Sequence, residues 1–375
     1  MSNASRSKAL QSVGMVLGLA VIAWLFYMPV HGNKAEVTTW TLLLTSVALA
    51  VNWNLTGGFT GYVDFGHAVW FGIGGYVSMI LITPRSSLQA GWVPENWPIW
   101  PSIILGALAA GLVANIVGRF TLKLSGAYFS IAMLGFFVFM REVVRVSKPI
   151  TNGGTSLDVN NLEIIGSANY WYYIQLSLVI ALVAFSWWLR RTRFGSSLVA
   201  IREDEIGAEM RGINTTRNKV WVFTFSAFST GLFGGMVSFQ GSSIEPDTAF
   251  IEVRTIDAVM GSMLGGLGSV MGPVLGMTVL YLLRNVLWAN LLDYHLLAQG
   301  VLLASIVLFL PKGIIGLFGG QTGNIRKMLG MSEREGSRTS TFDGMESSFD
   351  EDGNIREGAR TTRLASEAEV EVPGI

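Results

Sequence analysis

Phe194-Gly-Ser-Ser-Leu-Val-Ala-Ile-Arg-Glu-Asp-Glu-Ile-Gly-Ala-Glu-Met-Arg-Gly-Ile213 is the stretch that decides how the chain is organised. For a long way on either side the sequence is apolar enough to live in lipid; here it is densely charged. Val199, Ile206, Met210 and Ile213 recur at helical spacing and predict one apolar stripe. Glu203, Asp204 and Glu205 fall where a short helix would begin, and a helix dipole favours acids there. Gly212 is a natural stop, and Asn214-Thr215-Thr216 offers the cap of a following helix. A short amphipathic helix held between two membrane spans is a knob for another protein. The competing reading is a merely solvated loop.

Composition sets the class around this island. Half of the residues are hydrophobic, mean hydropathy is +0.47, and only 14% are charged. A soluble domain carries about 25% charged residues. Apolar runs near the roughly 20-residue spanning length recur, which predicts an all-α polytopic membrane protein with about ten transmembrane helices. The chain has no cysteine, which excludes disulfides and cysteine-ligated metal or iron–sulfur centres. Its formal net charge is zero, so a nucleic-acid partner is not expected.

Outward from the island, the spans order themselves. Residues 1–12 read as a cytoplasmic N-terminus, followed by an apolar run over 13–30 that is retained rather than cleaved. Further spans are expected at about 38–55, 65–82, 102–117, 124–140, 171–189, 220–239, 256–270, 273–291 and 295–310. Pro84 to Pro101 reads as an external loop with tryptophan anchors. Arg190, Arg191 and Arg193 place the loop at about 190–219 in the cytoplasm, whereas Arg141, Arg145 and Lys148 fall on the outer side and oppose that parity. The membrane-embedded core would thus cover 13–313. Residues 332–375 turn Ser-, Thr-, Glu- and Gly-rich without periodicity, the signature of a disordered cytoplasmic tail.

Two glycine-rich stretches stand out. In Asn54 to Tyr76, with Gly57, Gly58, Gly61 and Gly74, so much glycine predicts an unwound or closely approached backbone. Asp64 and His67, three apart, are ionisable within this apolar setting and so are functional suspects; the plainer alternative is that Asp64 caps the next span. The second stretch, Gly261 to Pro273 with Gly265 and Gly266, echoes the first, and paired interrupted segments point to a transport pathway between repeats. Tyr128 brings a hydroxyl into an apolar helix and needs a partner, a carbonyl or a ligand. The turn Thr151-Asn-Gly-Gly-Thr-Ser156 lacks the Gly-Lys-Ser/Thr ending of a phosphate-binding loop, as does the whole chain. The chain is therefore not expected to hydrolyse ATP.

The run Leu124-Ser-Gly-Ala-Tyr-Phe-Ser-Ile-Ala132, the turn at 153–156, the stretch 193–213 and Gly265-Gly-Leu-Gly-Ser-Val-Met-Gly-Pro-Val-Leu-Gly276 occur in this order with Asn54 to Tyr76. On these residues the chain resembles the LivM-type permease subunits of branched-chain amino-acid ABC importers. The resemblance implies a second, LivH-like permease subunit as heterodimer partner and two cytoplasmic ATPase subunits, which would use ATP and magnesium. It also implies an extracellular or periplasmic solute-binding protein, a location in the inner (plasma) membrane, and no cofactor in this chain. It makes the island the ATPase-coupling helix, carried by Arg202, Glu203, Glu205, Ile206, Ala208, Glu209, Met210 and Gly212. The long tail departs from that family's pattern. A urea or short-amide permease shares much of the motif set and stays open as an alternative. A passive urea-type channel needs no coupling helix, and a membrane sensor would need an indispensable tail.

Overall fold

The computed structural model describes residues 24–83, 98–158, 167–290, 300–301 and 313–318. In chain order its main helices are α1 (Lys34–Thr60), α2 (Ala68–Ile80), α3 (Ile99–Thr121), α4 (Ala127–Val146), α5 (Ala168–Arg191), α6 (Arg193–Glu203), α7 (Glu205–Met210), α8 (Thr215–Gln240), α9 (Glu252–Gly265) and α10 (Gly272–Asn290). Of these, α1, α3, α4, α5 and α8 are long and apolar enough to cross a membrane, while α2 and the described part of α10 are shorter apolar helices. The chain is an all-α polytopic membrane protein. Most of the expected first span, the external loop at 84–97, most of the span at 295–310 and the tail at 332–375 lie outside the described residues.

α1 is the centre of the packing, because it is apolar on every side and a helix of that kind belongs in a core. It lies against α5, α8, α9 and α10. The threonines inside it return their hydroxyls to their own helix, Thr41 to the Val37 carbonyl at 2.7 Å and Thr60 to that of Thr56 at 2.7 Å. Such bonds satisfy polar groups where no water is available. Of the two expected outcomes the glycine-rich run takes close approach, with a Cβ on Gly58 falling 2.7 Å from the Gly268 nitrogen, and it does not unwind at Gly57 and Gly58. α1 continues to Thr60 and stops only at Gly61, whose φ of 78° is the left-handed conformation that glycine tolerates. The reason is enclosure: with neighbours on every side, intrahelical hydrogen bonds are the cheapest way to satisfy that backbone.

α2, α3 and α8 meet at backbone distance. A Cβ on Gly74 would stand 2.2 Å from the Gly231 carbonyl oxygen of α8. Gly74 is therefore a helix-crossing residue, as small residues between lipid-embedded helices commonly are.

At the end of the bundle away from the island, Leu157–Asp158 pairs antiparallel with Ser243–Ile244. Arg141 reaches Glu252 at 2.8 Å, and Arg145 reaches Asp247 and Glu142. Arg141 and Arg145, which opposed the charge parity, thus sit among acids of the same end.

Candidate functional site

The island folds as two helices rather than one. α6 starts at Thr192, whose side chain accepts from the Gly195 amide at 3.1 Å, and runs to Glu203. Asp204 breaks it with an extended backbone and caps α7, accepting from the Gly207 amide at 3.0 Å. Glu203 therefore ends a helix instead of beginning one. α7 closes as the sequence predicts: the Ile213 amide donates to the Ala208 carbonyl and the Gly212 amide to that of Glu209, with Gly212 at φ 81°. This double closure is the Schellman arrangement. Asn214 then caps α8 through the Arg217 amide at 2.9 Å.

The break at Asp204 also divides the expected stripe. Leu198 and Ile201 of α6 and Ala208 of α7 are buried against the bundle. Val199 is partly exposed, and Ile206 and Met210 are 74% and 85% exposed. An apolar stripe counted through the break mixes an inner face with an outer one, because Asp204 redirects the second helix.

Glu205 is the pin between α7 and the bundle. It forms an ion pair with Lys219 of α8 and accepts from the Tyr62 hydroxyl at 2.6 Å. Lys219 is almost fully buried, donates to the Tyr62 oxygen at 2.9 Å and lies over that ring at 4.2 Å. Burial alone would raise the Glu205 carboxyl, but hydrogen bonds from Lys219 and Tyr62, with the charge of Lys219, hold it below its ordinary value of 4.5. Glu209 accepts from the Thr215 hydroxyl at 2.6 Å. Glu205 thus points into the chain's own structure, while Glu209 is exposed and bonds locally to Thr215. Tyr62 and Lys219 went unread in the sequence. The available signal was a lysine inside the first turns of an apolar helix, which needs a counter-charge.

Beside this pin, the glycine-rich stretches and the island converge. Asn54 of α1 accepts from the Gly268 amide at 2.9 Å and donates to the Ser269 carbonyl at 2.9 Å. Arg202 of α6 donates to the Gly58 carbonyl at 2.8 Å, and Arg190 of α5 donates to the Gly268 carbonyl. Gly61 belongs to the same junction, lying against the Arg202 side chain, whereas Gly57 meets the Trp53 ring of its own helix. Gly265 and Gly266 form the neighbouring corner, where a Cβ on Gly265 would meet the Gly272 carbonyl at 1.7 Å. Of the residues expected to line a pathway, Asn54 and Gly58 join α1 to α6 and to the α9–α10 turn, which Arg190 ties to α5.

Asp64 and His67 are both buried and close to each other at 3.3 Å. Asp64 accepts from the Gly66 amide at 2.9 Å and from the Trp70 indole at 3.3 Å, and His67 reaches the Thr230 hydroxyl at 3.1 Å. Their hydrogen bonds fix the turn into α2 onto α8. Asp64 is not the cap itself, since His67 occupies that position. Tyr128 is 72% exposed on α4, away from the junction.

Apolar spans with the charged helices α6 and α7 folded back onto one end are the build of an integral membrane protein. The sequence model of the family described as "Branched-chain amino acid transport system / permease component" matches residues 33–310, and the chain belongs to that family. It is 24% identical over 330 residues to the high-affinity branched-chain amino acid transport system permease protein LivM of Salmonella typhimurium, covering 80% of this chain and 74% of that one. It is 24% identical over 287 residues to LivH of the same organism, covering 74% and 92%. The ribose import permease protein RbsC of Haemophilus influenzae is 29% identical over 238 residues, covering 59% and 72%. No solved structure matches.

Proposed function

We propose that this chain is the translocating permease subunit of an ATP-driven importer for branched-chain or other hydrophobic amino acids. In this reading it sits in the inner membrane with the island on the cytoplasmic side and pairs with a second, LivH-like permease. An external binding protein delivers the solute, and α7 docks into one of two cytoplasmic ATPase subunits. The observation that carries the reading is the exposure of Ile206 and Met210, one turn apart on a helix whose other side is pinned by Glu205 and seated by Ala208. An apolar pair displayed on a rigid support suits helix-in-groove recognition. Sugar import is the second reading, supported by the likeness to the ribose permease. The family description and the LivM and LivH likenesses support amino acids.

The test is Ile206→Asp with Met210→Asp in the assembled importer. Full burial of two such side chains is worth roughly 3–6 kcal/mol before ordering costs. Docking should therefore weaken on the order of 100-fold. ATPase copurification and stimulated hydrolysis should be lost while the permease stays monodisperse in detergent. Normal coupling in the double variant would leave α7 a mere connector. Uptake of labelled leucine against ribose and urea then separates the solute readings.

A further inference from the structure

A cavity of about 330 Å³ lies between α1, α2, α9, α10 and the connection from α8 to α9, away from the island. None of the residues that the sequence nominated for a pathway lines it. Its walls are largely apolar, with Leu42 and Leu49 of α1, Phe71 of α2 and Met277 of α10. Three charged side chains reach it: Arg254 and Asp257 of α9, and Arg284 of α10. Asp257 and Arg284 form an ion pair. Arg254 is different. Its guanidinium lies over the Phe71 ring at 4.0 Å, and its Nη1 is buried with no hydrogen-bond partner among the described residues.

An arginine keeps its charge at any physiological pH, so burial cannot be relieved by losing a proton. The face of Phe71 offsets part of that cost and holds the guanidinium plane in place. It supplies no acceptor for the N–H groups. A buried cation with an unfilled donor, at the edge of an apolar chamber, is completed by an anion that brings two oxygens in one plane. Among the described lining residues, Arg254 and Arg284 stand against the one carboxylate of Asp257.

We propose that this cavity binds the carboxylate of the transported solute, with Arg254 as the residue that grips it and the Leu42, Leu49 and Met277 walls receiving its aliphatic part. The assignment rests on the amino-acid reading above and deepens it. It names the feature by which the permease tells an amino acid from an uncharged sugar or amide.

The experiment uses the complete importer, with partner permease, ATPases and binding protein, reconstituted in proteoliposomes. Arg254→Gln should lower leucine uptake at least tenfold, while ATPase copurification and pairing of the two permeases stay intact. Arg254→Lys keeps the charge but not the planar fork, and should fall between. In the purified complex without binding protein, leucine should protect a Ser46→Cys variant, at a partly buried position in the cavity wall, from maleimide labelling. Leucinamide, which lacks the carboxylate, should not. Protection by both equally, or leucine uptake unchanged in Arg254→Gln, overturns the assignment alone. Loss of permease pairing in both Arg254→Gln and Arg254→Lys also overturns it, because the guanidinium then serves a partner's carboxylate. Protection by ribose or urea but not by leucine overturns the amino-acid reading together with it.

Discussion

Removing the ammonium of Lys219 should free α7 from the bundle while leaving the bundle folded. The Lys219 side chain is 2% exposed and that of Glu205 is 31% exposed, so the pair is buried on one side and wet on the other. Breaking a fully buried pair by deleting one member costs roughly 3–5 kcal/mol. In Lys219→Met the group left behind is Glu205, a third of it in solvent, which lowers the penalty to about 1.5–2 kcal/mol. That corresponds to a roughly 10–30-fold rise in the detached population. Glu205→Gln leaves the buried ammonium without its charge partner and should cost more, about 3 kcal/mol, or roughly 100-fold. The double variant should do less damage than Glu205→Gln alone, since no buried charge then remains. The chain has no cysteine, so a nitroxide on Met210→Cys, at a position 85% exposed, reports α7 alone. Its spectrum should gain a mobile component in the order Lys219→Met, then Glu205→Gln. An unchanged spectrum in both, or a double variant as mobile as the sum of the singles, would show that the ion pair does not hold α7. The sign of the pH dependence follows from the depressed Glu205 carboxyl. The tether is fully present above the ordinary value of 4.5 and is lost as the pH falls through the lower folded-state value.

Asn54→Leu removes both hydrogen bonds to the Gly268–Ser269 turn and leaves a buried amide unpaired, which should cost about 2 kcal/mol in thermal stability measured in detergent. Gly74→Leu should abolish a monodisperse peak on size exclusion, because even a Cβ there would collide with the α8 backbone at Gly231. Gly212→Ala meets nothing within 4 Å and carries only the strain of φ 81°, so it should cost about 1 kcal/mol and loosen the end of α7 without unfolding the bundle.

Class and punctuation were legible in the sequence because each depends on neighbours along the chain. Apolar runs named the spans; Gly212 and Asn214 marked where α7 ends and α8 begins, since caps are satisfied within four residues. The island announced itself by charge against an apolar background. What lay beyond reach were choices between distant partners. Whether Glu205 faces a partner or Lys219 depends on where α8 passes, and whether Gly58 lines a pathway or takes Arg202 depends on how α6 folds back. Asp204 also fits a helical run as well as it fits a cap, and only the seating of Leu198, Ile201 and Ala208 against the bundle selects the break. Arg254 went unread in the sequence, because only the fold brings Phe71 of α2 beneath its guanidinium. The sequence by itself determined which residues could not stay in water and where the chain must turn. The tertiary structure alone decided which polar groups are used up inside the protein and which, like Arg254 Nη1, are left without an acceptor, because that balance is struck between helices that the chain order does not bring together.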